Sequence, residues 1–115
     1  MKIDIHMEYL KIKNLIGVGT LQVETFLKIK HKANILAMYV SPKHRGLRIG
    51  KSIMLNLIEK AKSLGIEQLQ LTVVSNNQTA KNMNSSLGFS RYGLEEKALK
   101  FNEQYWDEEH MVLYL

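Results

Sequence analysis

The sequence predicts an α/β (α+β) fold, with a mixed, mostly antiparallel central sheet and helices packed on it. Three observations carry that reading: strict alternation near the N-terminus, an unbroken apolar run at residues 35–40, and a helical stripe of apolar residues starting at Ile49. In residues 3–10, Ile3, Ile5, Met7 and Tyr9 share one face and Asp4, His6 and Glu8 the other, the period of a half-exposed strand. Lys13-Asn14 suits a turn. A second strand follows over residues 15–23, in which Gly17 and Gly19 are unfavourable. Residues 24–32 hold several lysines and read as an exposed, extended connection. The run Ile-Leu-Ala-Met-Tyr-Val at 35–40 has no alternation, which predicts a central strand covered on both faces. Pro42 lacks an amide donor, so this strand should stop near Ser41.

Apolar residues then fall at 49, 53, 54, 57, 58, 61 and 64, tracing one face of a helix. Gly65 stands where a left-handed cap would need it. Residues 66–74 give a strand with Leu69, Leu71 and Val73 on one side. Asn76-Asn77 offers side-chain caps for a second helix over 78–87, ended by Gly88. A further strand begins within residues 89–92 and a last one occupies 110–115, with a loop containing residues 101–107 between them.

At 115 residues the chain favours one domain, spanning 1–115. Its 45% apolar and 23% charged content is ordinary for a globular protein. The absence of cysteine excludes disulfides, thiolate metal sites and a cysteine nucleophile. His6, His31, His44 and His110 show no ligand spacing, so no metal is expected. No apolar run reaches the roughly 20 residues of a membrane span, and the alternating N-terminus is unlike a signal peptide. The expected location is cytoplasmic, with no membrane partner. A net charge of +5 suits an anionic ligand. Nucleic acid is the weaker candidate, because the basic residues are spread over loops with little aromatic interleaving.

The segment Arg45-Gly46-Leu47-Arg48-Ile49-Gly50 joins the apolar strand to the first helix. Glycines let a backbone turn tightly and approach a ligand. Free amides and the dipole at a helix N-terminus favour an anion, and Arg45, Arg48 and Lys51 add cations. Together they read as a diphosphate cradle; the plainer reading is a glycine-containing turn with solvated basic residues. Gly50-Lys51-Ser52 imitates the end of a Walker loop, but Arg45 stands where that motif needs glycine. The three-glycine spacing of a dinucleotide fingerprint is absent as well.

These residues, with Asn77-x-x-Ala80 and Leu87-Gly88-Phe89, give Met38 to Phe89 a resemblance to the cofactor half of the GNAT N-acetyltransferase superfamily. The family pattern at the loop is Arg/Gln-x-x-Gly-x-Gly/Ala, matched at its ends by Arg45 and Gly50. Asp107-Glu108 followed by Met111 is a fainter echo of bacterial members. The resemblance implies acetyl-CoA as acyl donor, no metal, and transfer to the amine of an unidentified small molecule or protein. It implies that Arg45, Gly46, Leu47, Arg48, Ile49, Gly50 and Lys51 hold the diphosphate. Met38, Tyr39 and Val40 on their strand, with Asn77, would hold the pantetheine arm.

The chain departs from the family pattern in three places. Arg48 replaces the usual central glycine. Asn84 stands where many members carry the tyrosine that protonates the departing thiolate, and an amide is no acid near neutral pH. Tyr39, Tyr92 and Tyr105 are substitutes for that role. Glu24 is the candidate general base, ahead of His31 and His44. Finally, the chain starts near the family's second strand, lacking the usual first strand and two helices; the sheet edge so uncovered leads us to expect a homodimer. The alternative to an enzyme is a CoA-binding module with little or no turnover.

Overall fold

A computed structural model describes residues 2–11, 14–44 and 48–115, with side chains described for 17–36, 38–43 and 48–115. Among the described residues, six strands and two helices make a mixed α/β fold whose strand pairs β1–β2, β2–β3 and β5–β6 are antiparallel, as expected for the class. The chain divides into two compact units, one running to Leu69 and including Leu115, the other covering Gln70–Tyr114.

The first unit contains β1 (Lys2–Lys11), β2 (Asn14–Glu24), β3 (Lys32–Val40), a 3-10 turn at Pro42–His44 and α1 (Ile49–Ser63). Its core is built from the stripe predicted for α1: Ile53, Met54, Leu57, Ile58 and Ala61 are buried, along with Leu21, Ala33 and Ile35 of the strands. Burying each large apolar side chain among these is worth roughly 1.5–3 kcal/mol. Gly65 takes φ +76 beyond the end of α1, the left-handed cap expected of it.

Two expectations about this unit need correction. The connection expected over residues 24–32 is extended only at Glu24 and Lys32: Ile29 N–H bonds Phe26 C=O at 3.0 Å and Lys32 N–H bonds Ile29 C=O at 3.0 Å, so the chain between them coils through turns. Nor is β3 covered on both faces, since Leu36 is 39% and Tyr39 47% exposed. An unbroken apolar run suggests two-sided burial, but an apolar strand residue can also face outward. The predicted turn at Lys13-Asn14 involves Lys13, which lies outside the described residues.

The second unit takes in most of β4 (Gln68–Val74), then α2 (Gln78–Ser86), β5 (Ser90–Phe101) and β6 (Gln104–Tyr114). Leu71, Val73, Phe89, Met111 and Val112 are its buried apolar residues. The loop predicted to contain residues 101–107 is instead part of a long hairpin, closed at Phe101↔Gln104 with Asn102 at φ 51 and Glu103 at φ 61. Two consecutive positive φ values make the hairpin turn type that follows the twist of its strands. Alternation is a poor guide here because β5 is exposed along nearly its whole length.

Candidate functional site

The helix start is built without a side-chain cap. Arg48 precedes α1 with φ 60 and ψ 21, its side chain makes no capping bond, and the first turn holds no acidic residue. Among the described residues, the first bond at this end runs from Ser52 N–H to Arg48 C=O at 3.0 Å. The amides of Ile49, Gly50 and Lys51 therefore lie ahead of the helical ladder, where an anion can accept from them. Arg48 adopts the left-handed conformation that a glycine would take at little cost; for an L residue it costs roughly 1–2 kcal/mol. Arg45, Gly46 and Leu47 lie outside the described residues.

β3 comes close to this helix start at Gly17 of β2. A Cβ placed on Gly17 would lie 3.1 Å from Ile49 Cγ2, 3.2 Å from the Tyr39 carbonyl oxygen and 2.8 Å from Ile53 Cδ1. One placed on Gly19 would meet Ile53 Cγ2 and the Met38 sulfur, both at 2.6 Å. Both glycines let α1 sit tightly on β2, bringing Tyr39 and Ile49 to one place. By strand propensity alone they are merely unfavourable; glycines two apart in a strand ahead of an amphipathic helix are the available signal of close packing.

The register of β3 against β2 shifts at the same point. Val18 pairs Tyr39 and Thr20 pairs Leu36, so Ala37 and Met38 together oppose Gly19. Such a bulge interrupts the ladder and leaves backbone groups for other partners. It falls on the strand segment Met38, Tyr39, Val40 singled out for pantetheine. Met38 and Val40 are half-buried.

Glu24 ends β2 on the far side from this cluster, seven residues beyond Gly17, or on the order of 20 Å of strand. Its carboxylate is buried and accepts from Asn34 Nδ2 at 3.1 Å. His31 is half-buried at the coil before β3; its carbonyl accepts from Glu67 and Gln68 N–H at 2.9 and 3.2 Å. The side chain of His44 lies outside the described residues.

In the second unit, Asn77 caps α2, its Oδ1 accepting from Ala80 N–H at 3.2 Å as predicted. The same side chain retains its Nδ2 as a donor. Asn84, two turns on, is 5% exposed and directs Nδ2 at the Met111 sulfur at 3.8 Å. One turn earlier on α2, Lys81 Nζ meets Glu109 Oε2 at 2.6 Å and the Ser75 carbonyl at 3.0 Å. Arg91 Nε stands 3.8 Å from the other oxygen of Glu109. Nothing in local periodicity marks this ionic cluster, because its members come from three separate elements. Tyr92 and Tyr105 are both about half exposed on the hairpin, at 55% and 46%. Among the described residues no cluster of three metal-ligating side chains exists, and no helix is long and apolar enough to cross a membrane.

The sequence pattern of the Acetyltransferase (GNAT) family matches residues 5–89. This chain belongs to the GNAT acetyltransferase family. The fold agrees with it. A probable acetyltransferase from Staphylococcus epidermidis is 25% identical, with a TM-score of 0.86 over 96% of this chain and 67% of that one. A GNAT-family acetyltransferase from Streptococcus pneumoniae is 21% identical, with a TM-score of 0.90 over 97% of this chain and 67% of its own. YncA from Salmonella typhimurium, solved with its cofactor acetyl-CoA, is 22% identical, with a TM-score of 0.80 over 88% of this GNAT chain and 58% of that protein. This chain thus spans about two thirds or less of the length of these neighbours. No curated protein matches it by sequence.

Proposed function

We propose that this GNAT chain transfers the acetyl group of acetyl-CoA to an amine. The observation that carries the reading is the start of α1: three amides ahead of the helical ladder, no acidic residue, and a left-handed Arg48, within a segment that the family pattern matches. That donor set suits a diphosphate. The amides of Ile49, Gly50 and Lys51 would receive its oxygens, with Arg48 and Lys51 neutralising charge. Arg45, Gly46 and Leu47 complete the loop in sequence. The backbone of Met38, Tyr39 and Val40, beside the bulge in the ladder, would hydrogen-bond the pantetheine arm, and Asn77 Nδ2 would donate to it.

The bound cofactor supplies an acetyl group already activated as a thioester. The protein must remove a proton from the acceptor's ammonium, since only the free amine attacks. Glu24 is the proposed acceptor of that proton. Asn84 can donate a hydrogen bond toward a departing thiolate but supplies no proton to it near neutral pH.

A second reading, a CoA-binding module with little turnover, draws on one observation. The Asn84 amide is buried on a thioether where many relatives use a phenol. Release of free thiol from acetyl-CoA with a panel of amines separates the two readings: amine-dependent release supports the enzyme, and binding without release supports the module.

A further inference from the structure

The second unit holds a cavity of about 220 Å³ lined by Val74, Ser75, Asn76, Tyr105, Trp106 and Asp107. It has the volume for a molecule of amino-acid size. The hairpin around it is built in an unusual way. Between Glu95↔Glu108 and Leu99↔Trp106, three residues of β5 oppose Asp107 alone. At the centre of that bulge Lys97 takes φ 52, and its N–H donates to Asp107 Oδ1 at 2.8 Å. Asp107 also receives Ser75 N–H on its carbonyl at 2.9 Å, which ties the hairpin to the end of β4. A left-handed lysine is costly backbone, and bulges of this kind re-aim side chains. Here the bulge carries the Lys97 ammonium over the Tyr105 ring, 5.1 Å from its centroid. The Lys100 ammonium stands over the same ring at 5.4 Å. Asp107 and Tyr105 both line the cavity, and the two ammonium groups over the Tyr105 ring stand beside that lining rather than in it.

The geometry points to this cavity as the binding site for a free α-amino acid, the acceptor class for the transfer proposed above, on which reading the assignment of a reactive amine rests. Asp107 receives the ammonium, Lys97 and Lys100 draw the carboxylate toward Tyr105, and Trp106 gives the side chain an aromatic face. An amine without a carboxylate gains nothing from the two lysines, of which Lys100 otherwise has only its exposed pairing with Glu103 at 3.6 Å. A carboxylate without an ammonium leaves Asp107 with only the Lys97 N–H to offset its charge. Either loss should weaken binding about tenfold, the scale of one partly exposed charge-assisted contact.

Trp106 is the chain's one tryptophan and lines this cavity, so its fluorescence reports changes there. The full chain is titrated with L-leucine, with isoamylamine, which lacks the carboxylate, and with N-acetyl-L-leucine, which lacks the ammonium. A saturable change with L-leucine, about tenfold weaker with each analogue, is expected. Lys100→Gln should remove the preference for L-leucine over isoamylamine, and Asp107→Asn the preference over N-acetyl-L-leucine. Lys62→Gln, a surface lysine of α1 paired with Glu59, should change neither. No saturable change with any of the three compounds, or equal affinity for L-leucine and isoamylamine, overturns the proposal. Stabilisation of the chain by coenzyme A is measured separately, so a failure of the cofactor reading shows there and not in the tryptophan signal.

Discussion

Lys81 and Glu109 form a 2.6 Å ion pair in which the carboxylate is buried and the lysine side chain 24% exposed. A buried charge that loses its partner is strongly destabilising, whereas replacing both members by apolar residues is often neutral. Lys81→Met should therefore cost about 2–4 kcal/mol, and the double variant Lys81→Met/Glu109→Leu should cost less than the single one. Urea denaturation of the three proteins checks this. A double variant less stable than Lys81→Met would show that the pair is needed for more than mutual charge compensation.

Gly19 leaves no room for a methyl group. A Cβ there would stand 2.6 Å from both Ile53 Cγ2 and the Met38 sulfur, so Gly19→Ala must push α1 off β2 or displace Met38. Overpacking of this kind costs about 1–3 kcal/mol. Gly65→Ala meets nothing within 4 Å and should cost only the strain of its φ of +76, about 1 kcal/mol. Thermal unfolding should rank Gly19→Ala below Gly65→Ala; the reverse order would contradict the close approach of α1 to β2.

Arg48→Gly separates backbone from side chain at the helix start. Glycine relieves the left-handed strain but widens the unfolded ensemble, so stability should stay within about 1 kcal/mol of the parent. Coenzyme A affinity should nonetheless fall several-fold, and the loss should shrink with added salt as the missing charge is screened. Calorimetric titration at two ionic strengths reads both effects.

Asn77 caps α2 and is proposed to bind pantetheine, and substitution can divide the two. Asn77→Ser keeps an oxygen for the Ala80 N–H and should preserve α2, while removing the amide donor proposed for pantetheine. Asn77→Ala should lose about 1 kcal/mol of stability as well. Equal coenzyme A affinity in the parent and in Asn77→Ser would remove Asn77 from the binding site.

What the sequence makes legible follows from how local each signal is. The α1 stripe, Gly65 and the Asn77 cap are decided within a few residues, and they appear where periodicity and capping place them. The β5–β6 hairpin is hidden because its outward-facing residues follow no apolar alternation and its turn is made by Asn102-Glu103 without glycine. Features that depend on contacts between distant segments are invisible in the sequence: the Lys81–Glu109–Arg91 cluster, the bulge opposite Gly19, and the hold of Asp107 on Lys97. In the candidate site, the helix start can be read because the glycines and cations that suit an anion stand in consecutive residues. The left-handed Arg48 cannot, since an arginine gives no hint of positive φ.

The most direct test is thermal stabilisation of the chain by coenzyme A, compared with pantetheine, which lacks the diphosphate. At about 100 times its dissociation constant coenzyme A should add about 2.7 kcal/mol of stability. Pantetheine at the same concentration should add far less, because it offers nothing to the amides of Ile49, Gly50 and Lys51. Equal stabilisation by the two, or none by coenzyme A, would contradict a diphosphate held at the start of α1.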